Sequence, residues 1–154
     1  MPEETDSGAG ADTTDAAPLQ MAVALDGDSS CIAQARRAAA RFLAEARERH
    51  RIEVAPRTVE DTQVIVSELV TNVVKYAPGP ALLQLRVSGD SVHVEVWDSD
   101  PTLPSARSPD PQRIGQHGLE IVNILARSLA MRPTVVGKCI TAALDLVPAG
   151  NGSA

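Results

Sequence analysis

The chain has 154 residues and a formal net charge of −6, with 44% hydrophobic residues but only 2% aromatic. That length suits one domain with a sizeable core, and Phe42, Tyr76 and Trp97 are its whole aromatic complement, so the core must be aliphatic and alanine-based. Scarce aromatics argue against recognition by base stacking, and an acidic balance without a Lys/Arg cluster argues against a nucleic-acid partner.

Residues 1–17 carry Glu3, Glu4, Asp6, Asp12 and Asp15 and no basic residue. Such a segment buries too little to offset its ordering entropy and is expected to be a disordered acidic tail. Residues 18–148 then form the folded domain, and residues 149–154 a second disordered tail. Leu19 to Leu25 suits a strand, closed by the turn signal Asp26-Gly27-Asp28. Ser29 or Ser30 is expected to cap a helix from about Cys31 to His50, with Ile32, Ala35, Ala39, Phe42, Leu43 and Ala46 as its apolar stripe.

Pro56 breaks the chain, and Thr58 is expected to cap the next helix, which stops at Pro78-Gly79-Pro80. Ile65, Val66, Leu69, Val70, Val73 and Val74 fill one broad arc of that helix. Asp61, Val64, Glu68, Asn72 and Lys75 fall on the opposite arc. Glu68 and Asn72, at i and i+4, place a carboxylate and an amide one turn apart, and Lys75 follows on the same line. A carboxylate can take a proton, an amide oxygen can coordinate Mg²⁺, and an ammonium can meet a phosphate. A solvated helix face accounts for the spacing as well, so the rest of the chain must decide.

Strands over Ala81 to Val87 and Val92 to Trp97 flank the turn from Ser88 to Ser91, with Val92, Val94 and Val96 facing one way and His93, Glu95 and Trp97 the other. Asp98 sits where the second strand ends. Four prolines between Ser99 and His117 exclude regular structure and suggest a functional lid or a disordered insertion. It closes on Gly115-Gln116-His117-Gly118, a glycine-bounded turn expected to lead into a helix from about Leu119 to Ala130. A helix N-terminus so approached offers backbone N–H groups to a phosphate. Strands over Thr134 to Val136 and Ile140 to Val147 are expected around a Gly137-Lys138 turn. The order implies an α+β fold: a two-layer sandwich whose mixed, mostly antiparallel sheet carries helices on one face. No apolar run approaches the ~18 residues of a membrane span. Cys31 and Cys139 match no metal-ligand spacing and, with no secretory signal, read as free thiols of a cytoplasmic protein.

The strings SELVTNVVKYA, VEVWDSD, GQHGLEIV and GKCITAAL, in this order and spacing, resemble the Bergerat-fold (GHKL) ATPases, and within them the anti-sigma-factor serine/threonine kinase branch. The resemblance spans about Leu19 to Leu146. It implies Glu68 as general base, Asn72 as the Mg²⁺ ligand bridging to ATP phosphates, and Asp98 as acceptor for the adenine amino group. It further implies Gly115 and Gly118 as lid glycines around the phosphates, with His117 between them. Thr141 would be the hydroxyl that supports adenine through Asp98 and water, and Lys75 a basic residue near the nucleotide. The family's Asp-x-Gly is here Asp98-Ser99-Asp100, which puts charge and bulk near the base. The implied activity is ATP-dependent phosphorylation of an anti-sigma-factor antagonist, with a sigma factor as a sequestered partner and a homodimer as an allowed assembly. The alternative is a non-catalytic regulatory module of the same fold. A histidine-kinase role is set aside, because 154 residues leave no room for a phosphoacceptor domain.

Overall fold

The computed structural model describes residues 19–100 and 114–149, and for residues 114–117 the backbone alone. The expected acidic tail, most of the expected lid and residues 150–154 lie outside the described residues. The elements run β1 (Leu19–Leu25), α1 (Ser30–Arg49), α2 (Pro56–Tyr76), β2 (Ala81–Ser88), β3 (Ser91–Asp98), α3 (Ile114–Leu125), β4 (Ser128–Pro133) and β5 (Lys138–Asp145). The strands lie in the order β1-β2-β3-β5-β4, antiparallel at all four pairings.

Alternation along each strand decides which side meets the helices. Leu83, Leu85 and Val87 of β2, Val92, Val94 and Val96 of β3, and Ile140, Ala142 and Leu144 of β5 join one buried cluster with residues of the helices. From α2 that cluster takes Ile65, Val66, Leu69, Val70 and Val73, the arc that the helical period predicts. Each such side chain, fully buried, stabilises by roughly 1.5–3 kcal/mol. On α1, Ala35, Ala38, Ala39 and Ala46 are buried beside Phe42 and Leu43, so small side chains hold most of its buried positions. The result is the two-layer α+β sandwich. The other sheet face carries polar groups: Arg86 pairs with Glu95 at 3.6 Å, and the Arg132 guanidinium lies 5.0 Å from the Trp97 ring centroid.

The helix starts differ from the expectation in their chemistry. Ser29 occupies the N-cap position of α1 without a side-chain cap bond. Asp28 does the capping instead: its Oδ1 accepts from the Ser30 amide at 2.9 Å and from the Ser30 hydroxyl at 2.6 Å. For α2, Pro56 opens the helix rather than standing before it, which suits a residue with preset φ and no N–H to satisfy. Thr58 is therefore inside the first turn and caps nothing. It is buried, and its hydroxyl lies 3.0 Å from the carbonyls of both Asp145 and Leu146, tying α2 to the end of β5.

The C-terminal third also departs from expectation. The helix expected over Leu119 to Ala130 begins at Ile114 and ends at Leu125. Leu125 and Leu129 share a helical spacing, but Leu129 and Met131 also fit a period of two. Pairing with β5 selects the strand, and Arg127 N already donates to Ala143 O at 2.7 Å. The strand expected at Thr134 to Val136 is instead the hairpin turn: Thr134 N donates to Gly137 O at 2.8 Å, and Gly137 N to Thr134 Oγ1 at 3.0 Å. Near the other end of the sheet, Gly27 (φ +89°) abuts Gly79, and a Cβ on Gly27 would stand 2.2 Å from the Gly79 carbonyl oxygen. This contact joins the turn after β1 to the loop after α2.

Candidate functional site

The polar arc of α2 is only partly solvated. Glu68 and Asn72 are half-buried, while Lys75, one turn further on, is exposed. Four residues of α-helix separate the first two by about 6 Å along the axis. α3 packs alongside α2, and its Gly118 lies directly against Glu68: a Cβ built there would stand 2.6 Å from Glu68 Oε1. Only a residue without a side chain permits this approach. No hydrogen bond or ion pair to another described residue engages the Glu68 carboxylate, which leaves it available to take a proton.

Asp98 closes β3 and is buried, as is Lys138, its register partner at the start of β5. Lys138 Nζ lies 2.8 Å from Asp98 Oδ2 and also donates to the Asp100 carbonyl at 3.2 Å. The other oxygen, Asp98 Oδ1, accepts from the Asp100 amide at 2.8 Å. The Asp98-Ser99-Asp100 segment is thus a turn closed by the Asp98 side chain, the local bonding that Asx residues favour. Ser99 Oγ donates to the Pro80 carbonyl at 3.0 Å and anchors that turn to the loop after α2. Gly137 presses on the same place, since a Cβ there would come 2.0 Å from Asp98 O and 2.7 Å from Ser99 Cα. A buried ion pair of this kind resists loss of either partner, because the remaining charge would be left uncompensated at a cost of about 3–5 kcal/mol.

The remaining expected residues are placed as follows. Gly115, His117 and Gly118 lie within the first turns of α3 and not in a turn before it. Of the expected phosphate-facing amides, those of Gly115 to His117 are thus among the first four N–H groups of the helix, which have no intrahelical acceptor, while Gly118 is its fifth residue. Thr141 is not brought to the site. It pairs with Glu95, one step out of phase with Asp98, and its hydroxyl contacts Cys139 Sγ at 3.7 Å on the sheet face away from the helices. Burial pushes the Cys139 thiol up, which disfavours the reactive thiolate. Sequence reasoning misses Lys138 and Gly137 because it reads both as a turn. The available signal is a charged residue next to glycine and before the alternating run Cys139 to Leu144.

Two places thus hold the expected groups: on α2, a carboxylate with no partner among the described residues and an amide one turn on, with Gly118 of α3 packed on the carboxylate, and at the end of β3, a buried carboxylate paired with Lys138. The family model for the histidine kinase-like ATPase domain matches residues 29–144. The chain belongs to that family. The match covers α1 through all but the last residue of β5, and with it every element of the site. No curated protein matches this histidine kinase-like ATPase domain in sequence.

The residues fit a magnesium nucleotide in their donor chemistry. Mg²⁺ is usually held by one or two protein oxygens together with substrate phosphates. Asn72 offers such an oxygen, and no group of three or more His, Cys, Asp or Glu suited to a metal gathers among the described residues. A carboxylate at the base end can accept from an exocyclic amino group. No helix among the described residues is long and apolar enough to cross a membrane.

Proposed function

We propose that this histidine kinase-like ATPase domain is a Mg·ATP-dependent serine/threonine protein kinase of the anti-sigma-factor type. Its substrate is an anti-sigma-factor antagonist, and it sequesters a sigma factor in the cytoplasm. The observation that carries the catalytic part is Glu68: a half-buried carboxylate with no internal partner among the described residues, one turn from Asn72 and held against Gly118. The sigma-factor connection rests on the resemblance of the four sequence strings.

Bound Mg·ATP would supply the phosphoryl group and the charge that offsets its negative oxygens. Asn72 would hold the metal, and the backbone at the start of α3, from Gly115 through His117 to Gly118, would face the phosphates. Lys75 would add positive charge at the rim, and Asp98 would accept from the adenine amino group. Glu68 would take the proton of the substrate hydroxyl as its oxygen bonds to the γ-phosphorus and the bond to ADP breaks. Positioning and electrostatic stabilisation carry most of such a reaction.

One observation favours a second reading, the non-catalytic module. Both Asp98 oxygens already have internal partners in Lys138 and Asp100, so the base end is held in place without a nucleotide. Titration calorimetry with Mg·ATP and Mg·GTP on wild type and Asp98→Asn separates the two. Selective ATP binding that Asp98→Asn weakens supports the kinase. Absence of binding to either nucleotide supports the module. The antagonist assay then compares Glu68→Gln with wild type, and undiminished phosphate transfer would remove Glu68 from the mechanism.

A further inference from the structure

Lys138 is a buried cation in direct contact with the carboxylate expected to meet the base, and phosphoryl transfer leaves it without a role. Its ammonium has three N–H donors, of which two are engaged, by Asp98 Oδ2 and by the Asp100 carbonyl. The Asp98 carboxylate has about four lone-pair directions, and two are filled, by Lys138 and by the Asp100 amide. Among the described residues the pair therefore retains one donor and two acceptor directions. Because Asp98 and Lys138 are register partners, both side chains leave the sheet on the same face. A group that hydrogen-bonds the Asp98 carboxylate is then within one contact of Nζ.

From this we infer that Lys138 is a base-reading residue that acts beside Asp98, a role that rests on the ATP-binding reading above. The adenine edge presents an amino donor and, one carbon away, the ring acceptor N1. Asp98 accepts from the amino group and Lys138 donates to N1. The hydroxyl-and-water support expected from Thr141 is not needed, since Thr141 lies on the other sheet face. The backbone carbonyl of Asp100 is the second anchor that holds the ammonium in place. A hydrogen bond from a charged donor is worth enough to change affinity by about tenfold or more.

The test is calorimetric binding of Mg·ATP and Mg·1-deaza-ATP, in which N1 is replaced by C–H. Wild type is expected to bind the deaza analogue at least about tenfold more weakly. Lys138→Met, checked for folding by its circular dichroism and melting, should bind ATP about tenfold more weakly and lose the discrimination between the two nucleotides. Equal affinity of wild type for both nucleotides would overturn the proposal without any need for the variant. If wild type binds ATP, Asp98→Asn weakens it and N1 proves irrelevant, the ATP-binding reading stands and the role of Lys138 fails. GTP binding as tight as ATP binding and dependent on Lys138 would also overturn it, because the ammonium would then be meeting the guanine carbonyl. No ATP binding by wild type would remove both ideas together.

Discussion

Replacing Gly118 by alanine should separate stability from catalysis. A Cβ at this position would stand 2.6 Å from Glu68 Oε1, and ordinary contact begins at 3.4 Å. The carboxylate must therefore retreat by about 0.8 Å, which rotation of a long side chain allows without moving the backbone. Gly118 is helical, so alanine also gains up to about 1 kcal/mol of helix propensity. The melting temperature should hold or rise slightly. Displacement of a reacting group by about 1 Å can cost up to a hundredfold in rate. Turnover, read as ADP formation from Mg·ATP with the antagonist present, should fall between about tenfold and a hundredfold, while ATP affinity changes by less than about threefold. Combining Gly118→Ala with Glu68→Gln should add little beyond Glu68→Gln alone, since both act through one carboxylate. Turnover of Gly118→Ala within about twofold of wild type would refute the claim that the glycine sets the position of Glu68.

Two further outcomes concern the fold. Thr58→Val keeps the shape of a buried side chain but removes the donor facing the Asp145 and Leu146 carbonyls. Leu146 O still accepts from Ala55 N, so the loss should be about 1–2 kcal/mol, seen as a lower urea midpoint with an unchanged slope. An unchanged midpoint would show that this tie contributes nothing. Burial, and then the Arg86 and Arg127 guanidiniums, hold the His93 imidazole below its ordinary pKa of 6.5, while Glu95 opposes them. The unfolded chain takes up this proton first, so His93 contributes its full stability above that pH and loses it as the pH falls below 6.5. Unfolding curves from about pH 7 to about pH 5 should decline less steeply for His93→Gln than for wild type, and parallel curves would exclude the effect.

Strong local periods are the legible part of this chain. The arc Ile65 to Val73 and the alternation Val92 to Val96 each admit one burial pattern, and the structure buries both as expected. Legibility fails where two periods coincide. Val122, Leu125 and Leu129 read as one helical stripe until pairing with β5 claims Leu129 for a strand. The site divides the same way. Glu68 and Asn72 follow from helical spacing on one element. Lys138 against Asp98 depends on the register of two strands distant in sequence, which no local pattern encodes. Thr141 falls away from the site for the same reason: a shift of one residue in a strand sends the side chain to the opposite face. Gly118 stands out in the sequence as a lid glycine, but its contact with Glu68 requires the packing of α2 on α3.

The anchors on either side of residues 101–113 bear on how the family can diversify. Before that segment, Asp98 and Ser99 are tied to Lys138 and Pro80, and after it Gly118 is seated on Glu68. The site's fixed chemistry therefore lies in the flanks, on helices and strands. Changes of sequence between those flanks would leave the tied groups in place. The tied flanks and the residues between them can then evolve at separate rates within one small domain.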